Sequence, residues 1–354
     1  MHSTLNNARA HPDAPRSDRD RSVDIGELTL GLALKTVQAG PVIVLFGVWG
    51  LFAALSPYFF TQSNLTNILV QSSSVALLAL GAFVVILVGK LDISLGATVG
   101  LCTIVGAIMF RDYPEWSWAV VPVVLLTGAA IGVANSFIVV ALRIDNSFII
   151  TLGMLYAVRS FSYVLSGGAQ VPGVAPYLAD MASARILGIP GPVILVAITG
   201  VALWVLLNRV VWGRWIVAIG GSADAAEKVG IPVRLVLFSV YIIAGLFAAI
   251  AGLLVAGRNH AGTVDDGTSV LLAIAAVVIG GASLSGGRGN VWSTIVGAVI
   301  LTSITNGLTL ISVSPNWTPF AIGAVLIVAV CLDKLRSGIE GGLRLQQARI
   351  QAKV

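Results

Sequence analysis

The sequence predicts an all-α, polytopic membrane helix bundle of about ten transmembrane helices with both termini cytoplasmic. Three observations predict it. Hydrophobic residues make up 57% of the 354 and charged residues only 10%, against about 25% charged in an ordinary soluble domain. The apolar residues fall into runs long enough to cross a bilayer, which takes about 20 residues for a hydrocarbon core of about 30 Å. The basic residues sit almost entirely between alternate runs, as the positive-inside rule requires.

The apolar runs, taken in order, span 41–60, 67–88, 91–110, 119–142, 147–165, 192–211, 235–256, 270–284, 291–312 and 317–333. Only Gly89, Lys90 and Leu91 part the second and third runs, and the eighth is short and interrupted by glycine. An inside N-terminus puts 17 of the 21 Lys and Arg on the cytoplasmic side, among them Lys90, Arg143, Arg209, Arg214, Lys228, Arg234 and Arg288. Arg111, Arg185 and Arg258 fall outside, and Arg159 lies within a span. Basic tails at both ends favour an even number of spans.

This divides the chain into residues 1–39, a cytoplasmic tail passing from disordered to amphipathic, the transmembrane domain 40–335, and a second cytoplasmic tail 336–354. The first long apolar run starts too deep for a cleaved signal peptide. The net charge of +5 does not point to nucleic acid, because the cations lie between spans and in the tails rather than on one polar face. Cys102 and Cys331 both sit in apolar runs and offer neither a disulfide framework nor metal spacing. They read as small packing residues.

Two connections exceed simple turns. Residues 166–191 are rich in Gly and Pro and fall outside. Residues 212–234 fall inside and predict a short helix. Ser222 is its N-cap, Ala223 to Lys228 its body, and Gly230 and Pro232 its close. Such an element suits a docking site on the cytoplasmic face, or an ordinary re-entry loop. An offset of 191 residues also matches Ala82–Met109 to Ala273–Ile300, pairing Gly89 with Gly280 and Thr103–Ala107 with Thr294–Ala298. Transporters often carry such repeats, and low-complexity apolar sequence also produces them by chance.

No enzyme constellation is present. The histidines are His2, His11 and His260, and there is no G-x-x-x-x-G-K-[ST] phosphate loop. The chain is therefore expected to be a transport subunit without its own ATPase motif. It carries no cofactor of its own, and any ATP is bound by a partner subunit.

Polar residues within the spans are the candidate substrate pathway: Gln71, Ser73, Asp92, Ser94, Asn135 and Asn306. Asp92 is the costliest of these at membrane depth. It suits either a broken helix lining a polar pathway or an interfacial turn in which it caps the third span. Ser72 and Ser74 belong to the same polar set, whose common use is hydrogen bonding between helices. Arg159 suits snorkelling toward the outer face.

Five segments in order resemble one family. Gly89-Lys90-Leu91-Asp92-Ile93-Ser94-Leu95-Gly96 is similar to its G-I-D-L-S-V-G segment, and Phe148-Ile149-Ile150-Thr151-Leu152 to its F-I-x-T-L. Gly213-Arg214, Ile219-Gly220-Gly221, Ala225-Ala226 and Gly230-Ile231 resemble its cytoplasmic coupling segment. The stretch from Ala273 through Gly280-Gly281 to Gly286-Gly287 is the closest match, followed by Asn306-Gly307-Leu308. The sequence thus resembles the ribose-type permease subunits of bacterial ABC sugar importers, in the binding-protein-dependent permease superfamily that also holds branched-chain amino-acid permeases.

The resemblance implies a multi-pass protein of the bacterial inner membrane that imports a monosaccharide or related polyol. An amino-acid-type ABC permease and an ion-coupled secondary transporter are the alternatives. The implied partners are an ABC ATP-binding subunit, a periplasmic sugar-binding protein, a second permease subunit forming a homodimer, and membrane lipid. The coupling loop is then carried by Gly213, Arg214, Gly220, Ala225, Ala226 and Gly230. The chain departs from the family at Lys90, where glycine is usual, and at Val270-Leu271-Leu272, where relatives often carry E-L-D.

Overall fold

The structure, a computed structural model, describes residues 40–142, 146–264, 268–317, 319–324, 327 and 331. Both expected tails, Arg143, Asp265, Asp266 and about half of the tenth run lie outside the described residues. The described residues belong to one unit, Gly40–Asp333.

Two helices come first, α1 (Gly40–Leu55) and α2 (Gln62–Leu87). Thr61 caps α2, its Oγ1 accepting from Asn64 N at 3.3 Å. After α3 (Leu95–Asp112) a 3-10 segment, Pro114–Ala119, leads into α4 (Val120–Ser136), which ends in a π turn, Phe137–Ala141. Asn146 caps α5 (Ser147–Ser166), and Gly167 closes it in the left-handed region. The connection of residues 166–191, expected as a Gly/Pro loop, holds a short helix, α6 (Pro176–Ser183). Then come α7 (Gly191–Arg209), α8 (Val211–Gly221), α9 (Ala223–Lys228), α10 (Val233–Asn259), α11 (Thr268–Ile279) and α12 (Val291–Leu310). The only strands among the described residues are dipeptides. Val171–Pro172 pairs with Ala261–Gly262, and Arg185–Ile186 with Ile189–Pro190.

Seven of the described helical segments are long and apolar enough to cross a membrane. Two expected spans differ in the structure. The first run stops at Leu55, because Ser56 to Thr61 form a turn that buries Phe59. In the eighth, α11 stops at Ile279 after 12 residues, about 18 Å at 1.5 Å per residue, and Gly280 to Asn290 continue as irregular backbone. The second and third runs, parted by three residues in the sequence, are two separate long helices.

Small residues bring the helices together. A lipid tail is as apolar as leucine, so helices in a bilayer associate through close packing rather than burial from water. Gly128 and Gly132 of α4 lie directly against the backbone of Gly245, Tyr241 and Ile242 on α10. Gly252 of α10 meets Cys102 of α3, and Gly297 of α12 meets Ala276 of α11. The centre of the bundle is α2 and α10, where Ala76–Leu87 are buried without a break. Large apolar side chains on the outer faces stay exposed, among them Phe46, Leu126, Ile149, Val164 and Ile198. A lipid-facing surface is built this way.

Three contacts define one end of the bundle. Gly287 N donates to Leu87 O at 2.9 Å, Gly220 lies against both of those residues, and Leu91 N donates to Ser147 Oγ at 3.1 Å. The turn after α2, the α8–α9 segment and the irregular stretch after α11 therefore share this end. The opposite end holds the Val171–Pro172/Ala261–Gly262 pair and α6, whose Tyr177 Oη donates to Ser117 O at 2.7 Å.

Candidate functional site

The candidate pathway residues separate into two places. The first is a cavity of about 410 Å³ between α2, α3, α10, α11 and α12, in the half of the bundle away from Gly220. Gln71 and Ser74 of α2, Thr103 of α3, Arg258 of α10, Ser269 of α11, and Thr302 and Thr305 of α12 supply its polar lining. Val75, Leu78, Val99, Val255 and Leu272 supply the apolar part. The size and mixed lining suit a small polar solute. Beyond Leu78, α2 is buried without a break from Ala79 to Leu87, so the cavity stops short of the other end.

The periodicity of the helices explains this lining. Gln71, Ser74, Val75 and Leu78 stand at i, i+3, i+4 and i+7 on one face, and Thr302 and Thr305 at i and i+3. Gln71 is steadied by Asn67, its Nε2 donating to Asn67 Oδ1 at 2.9 Å. Thr103 ties the wall to the segment after α10: its Oγ1 accepts from Thr263 N at 2.9 Å and lies 2.7 Å from Thr263 O.

The second place is a buried polar cluster at the other end. Val88 to Ser94 are not helical, and their freed backbone groups need partners. Asp92, 3% exposed, accepts from Ser94 N at 2.9 Å and from Ser94 Oγ at 2.6 Å on Oδ1. Its Oδ2 accepts from Asn135 Nδ2 at 3.0 Å, and the same amide reaches Ser94 Oγ at 2.8 Å. Ile93 N donates to Thr151 Oγ1 at 3.3 Å. Asp92 thus both steadies the entry to α3 and ties α3 to α4. Ser94, the N-cap of α3, stands nine residues before Thr103, about 13 Å along the helix axis.

Ser73 and Asn306 join neither place. Ser73 Oγ turns back to Leu69 O at 2.7 Å. Asn306 is 7% exposed, one turn beyond Thr302, and its Oδ1 has no partner. Sequence reasoning missed Thr103, Arg258, Thr302 and Thr305 as lining residues. Threonine within an apolar run gives little signal, and Arg258 had been read only as an outside charge. Leu272, one of the positions departing from the E-L-D pattern, lines the cavity, while Val270 is buried in the core.

The expected coupling residues form one compact surface element. Ser222 Oγ accepts from Ala225 N at 3.2 Å, capping α9. Gly230 N donates to Glu227 O at 3.0 Å and Ile231 N to Ala226 O at 3.1 Å, closing it. Gly213 lies against the Leu206 and Leu207 backbone, folding α8 back on α7. Ala226 is buried, whereas Arg214, Ala225 and Gly230 are exposed. Gly220 abuts Leu87 O and Gly287 N, so that this element rests on both irregular turns at its end of the bundle.

Helices, cavity and surface element together describe a transport subunit, and relatives say which kind. The model of the family described as "Branched-chain amino acid transport system / permease component" matches residues 64–330. The chain belongs to this permease family. The permease is 36% identical over 301 residues to the D-allose transport system permease protein of Escherichia coli (strain K12), covering 84% of this chain and 92% of that one. It is 35% identical over 312 residues to the galactose/methyl galactoside import permease of Haemophilus influenzae, covering 83% and 93%. To the ribose import permease of Escherichia coli (strain K12) it is 36% identical over 297 residues, covering 82% and 92%. No solved structure matches the permease. Its apolar spanning helices and these relatives make it a multi-pass membrane protein.

Proposed function

We propose that the permease is the membrane subunit of an ATP-driven, binding-protein-dependent importer of a monosaccharide or related polyol. The observation that carries this reading is the similarity, over more than four fifths of the chain, to permeases named for allose, galactose and ribose. The cavity supports it: hydroxyl and amide groups on Gln71, Ser74, Thr302 and Thr305 can exchange hydrogen bonds with a polyhydroxylated solute.

On this reading the bundle has ten spans with both termini cytoplasmic, in a bacterial inner membrane. The described cations support that orientation. Lys90, Arg209, Arg214, Lys228, Arg234 and Arg288 lie toward the Gly220 end, and Arg111, Arg185 and Arg258 toward the other. The α8–α9 element then faces the cytoplasm and docks a partner ABC subunit, which binds the ATP. A periplasmic binding protein delivers cargo to the cavity end, and a second copy of the permease in the lipid completes a homodimeric channel. The ATPase acts by favouring one of two bundle conformations through differential contact with the docking element.

Reconstitution of the permease with its ATP-binding and binding-protein partners in vesicles tests this. ATP-dependent monosaccharide uptake is expected. Reversing charge at Asp224 and Glu227 should uncouple ATP hydrolysis from uptake while the protein still inserts. Uptake driven by an ion gradient without ATPase, or uptake of branched-chain amino acids alone, would overturn the reading.

A further inference from the structure

We propose that the cavity selects a sugar acid, a monosaccharide skeleton bearing a carboxylate, and that Arg258 receives that carboxylate. The inference rests on the importer reading above and narrows its cargo.

Arg258 is the only charged side chain among the described residues that line the cavity. It makes no ion pair among the described residues. Its position in the last turn of α10 suits a cation, since helix dipoles favour positive charge there. That favourable placement would hold equally for an arginine turned away from the cavity. This one instead borders a space whose other polar lining groups, among the described residues, are neutral, the Gln71 amide and the hydroxyls of Ser74, Thr302 and Thr305 among them. Leu272 lies on the α11 wall, and α11 itself carries no Asp or Glu.

Charge and shape then set the ligand class. A guanidinium keeps its charge at any physiological pH and offers a planar fork that matches a carboxylate with two parallel N–H bonds. A neutral sugar filling this space would displace water from that charge and return hydroxyl acceptors that carry no compensating charge. A sugar acid neutralises it and still presents hydroxyls to Gln71, Ser74 and Thr305. The wall of the same cavity is tied across helices, because Thr263 N donates to Thr103 Oγ1 at 2.9 Å.

The test uses the permease with its ATPase and binding-protein partners in vesicles, and matched substrate pairs that differ at one carbon: D-galacturonate with D-galactose, and D-ribonate with D-ribose. Acid uptake is expected to exceed neutral uptake for at least one pair. Arg258→Gln should reduce the acid-to-neutral ratio roughly tenfold, whereas Arg258→Lys, which keeps the charge and loses the planar fork, should reduce it by less. The neutral sugar preferred by the wild type in both pairs, or a ratio unmoved by Arg258→Gln, overturns the inference and leaves the importer reading standing. Uptake of none of the four compounds counts against both. Should Arg258→Gln fail to fold, the wild-type preference and the Arg258→Lys ratio decide.

Discussion

Two breaks in the helices, Val88–Ser94 and Gly280–Asn290, begin alike and end differently. Each opens with the same helix stop. Gly89 N donates to Ile86 O and Lys90 N to Val85 O; Gly281 N donates to Val278 O and Ala282 N to Val277 O. Gly89 and Gly281 both have positive φ, 70° and 82°, which glycine adopts without steric cost. Past that point they diverge. The first break is satisfied by polar side chains from other helices: Asp92 and Ser94 with Asn135, Leu91 with Ser147, and Ile93 with Thr151. The second is satisfied mainly by backbone and by its own cap, Ser283 N donating to Arg288 O and Asn290 Oδ1 accepting from Trp292 N and Ser293 N. The first break is therefore pinned laterally to α4 and α5, and the second is folded on itself. They touch where Gly287 N meets Leu87 O, and Gly220 rests on both. The α8–α9 element therefore touches both breaks, and the first of them is bonded to α4 and α5.

Four substitutions at three positions break or sharpen this comparison. Gly220→Ala should have the largest effect, because its Cβ would overlap Leu87 O and Gly287 N, both backbone atoms. Uptake should drop roughly tenfold or more, since overpacking costs about 1–3 kcal/mol even among yielding side chains. Vesicle uptake measured beside ATP hydrolysis checks it; normal coupled uptake would refute the contact's importance. Asp92→Ala should come next, lowering the unfolding temperature in detergent, because each buried donor left unpaired costs about 1–3 kcal/mol. Asp92→Asn should be milder: Asn135 Oδ1 is unpartnered and can accept from the new amide once Asn135 flips. Equal losses for the two variants would show that the network does not matter. Asn290→Ala removes only an N-cap and should cost about 1 kcal/mol, a small shift in the same melting measurement. A larger loss there than at Asp92 would reverse the comparison.

Much of this was legible along the chain. Run lengths located the long helices, and Ser222, Gly230 and Pro232 located α9 within a residue. Charge placement separated two ends before any contact was known. The breaks were only half legible. The 191-residue offset pairs Gly89 with Gly280, whereas the helix stops pair Gly89 with Gly281. The Gly280-Gly281 doublet hides that single step, and the second break is then longer, so Thr103 and Thr294 do not hold equivalent places. Of the pathway residues, Asp92, Ser94 and Asn135 were found as polar groups, but nothing in their spacing said that they bind one another.

The sequence by itself determined a membrane bundle, its family and the segment that closes on the two breaks. A 20-residue apolar run has one stable fate in a bilayer, because its backbone must bond internally. Only the tertiary structure decided which polar side chains share a space. An apolar helix is hydrophobic all round and carries no pattern naming its partner faces. Asp92 therefore became part of a lock between α3 and α4, and Arg258, unremarkable in the sequence, became the one charge among the described residues at the cavity.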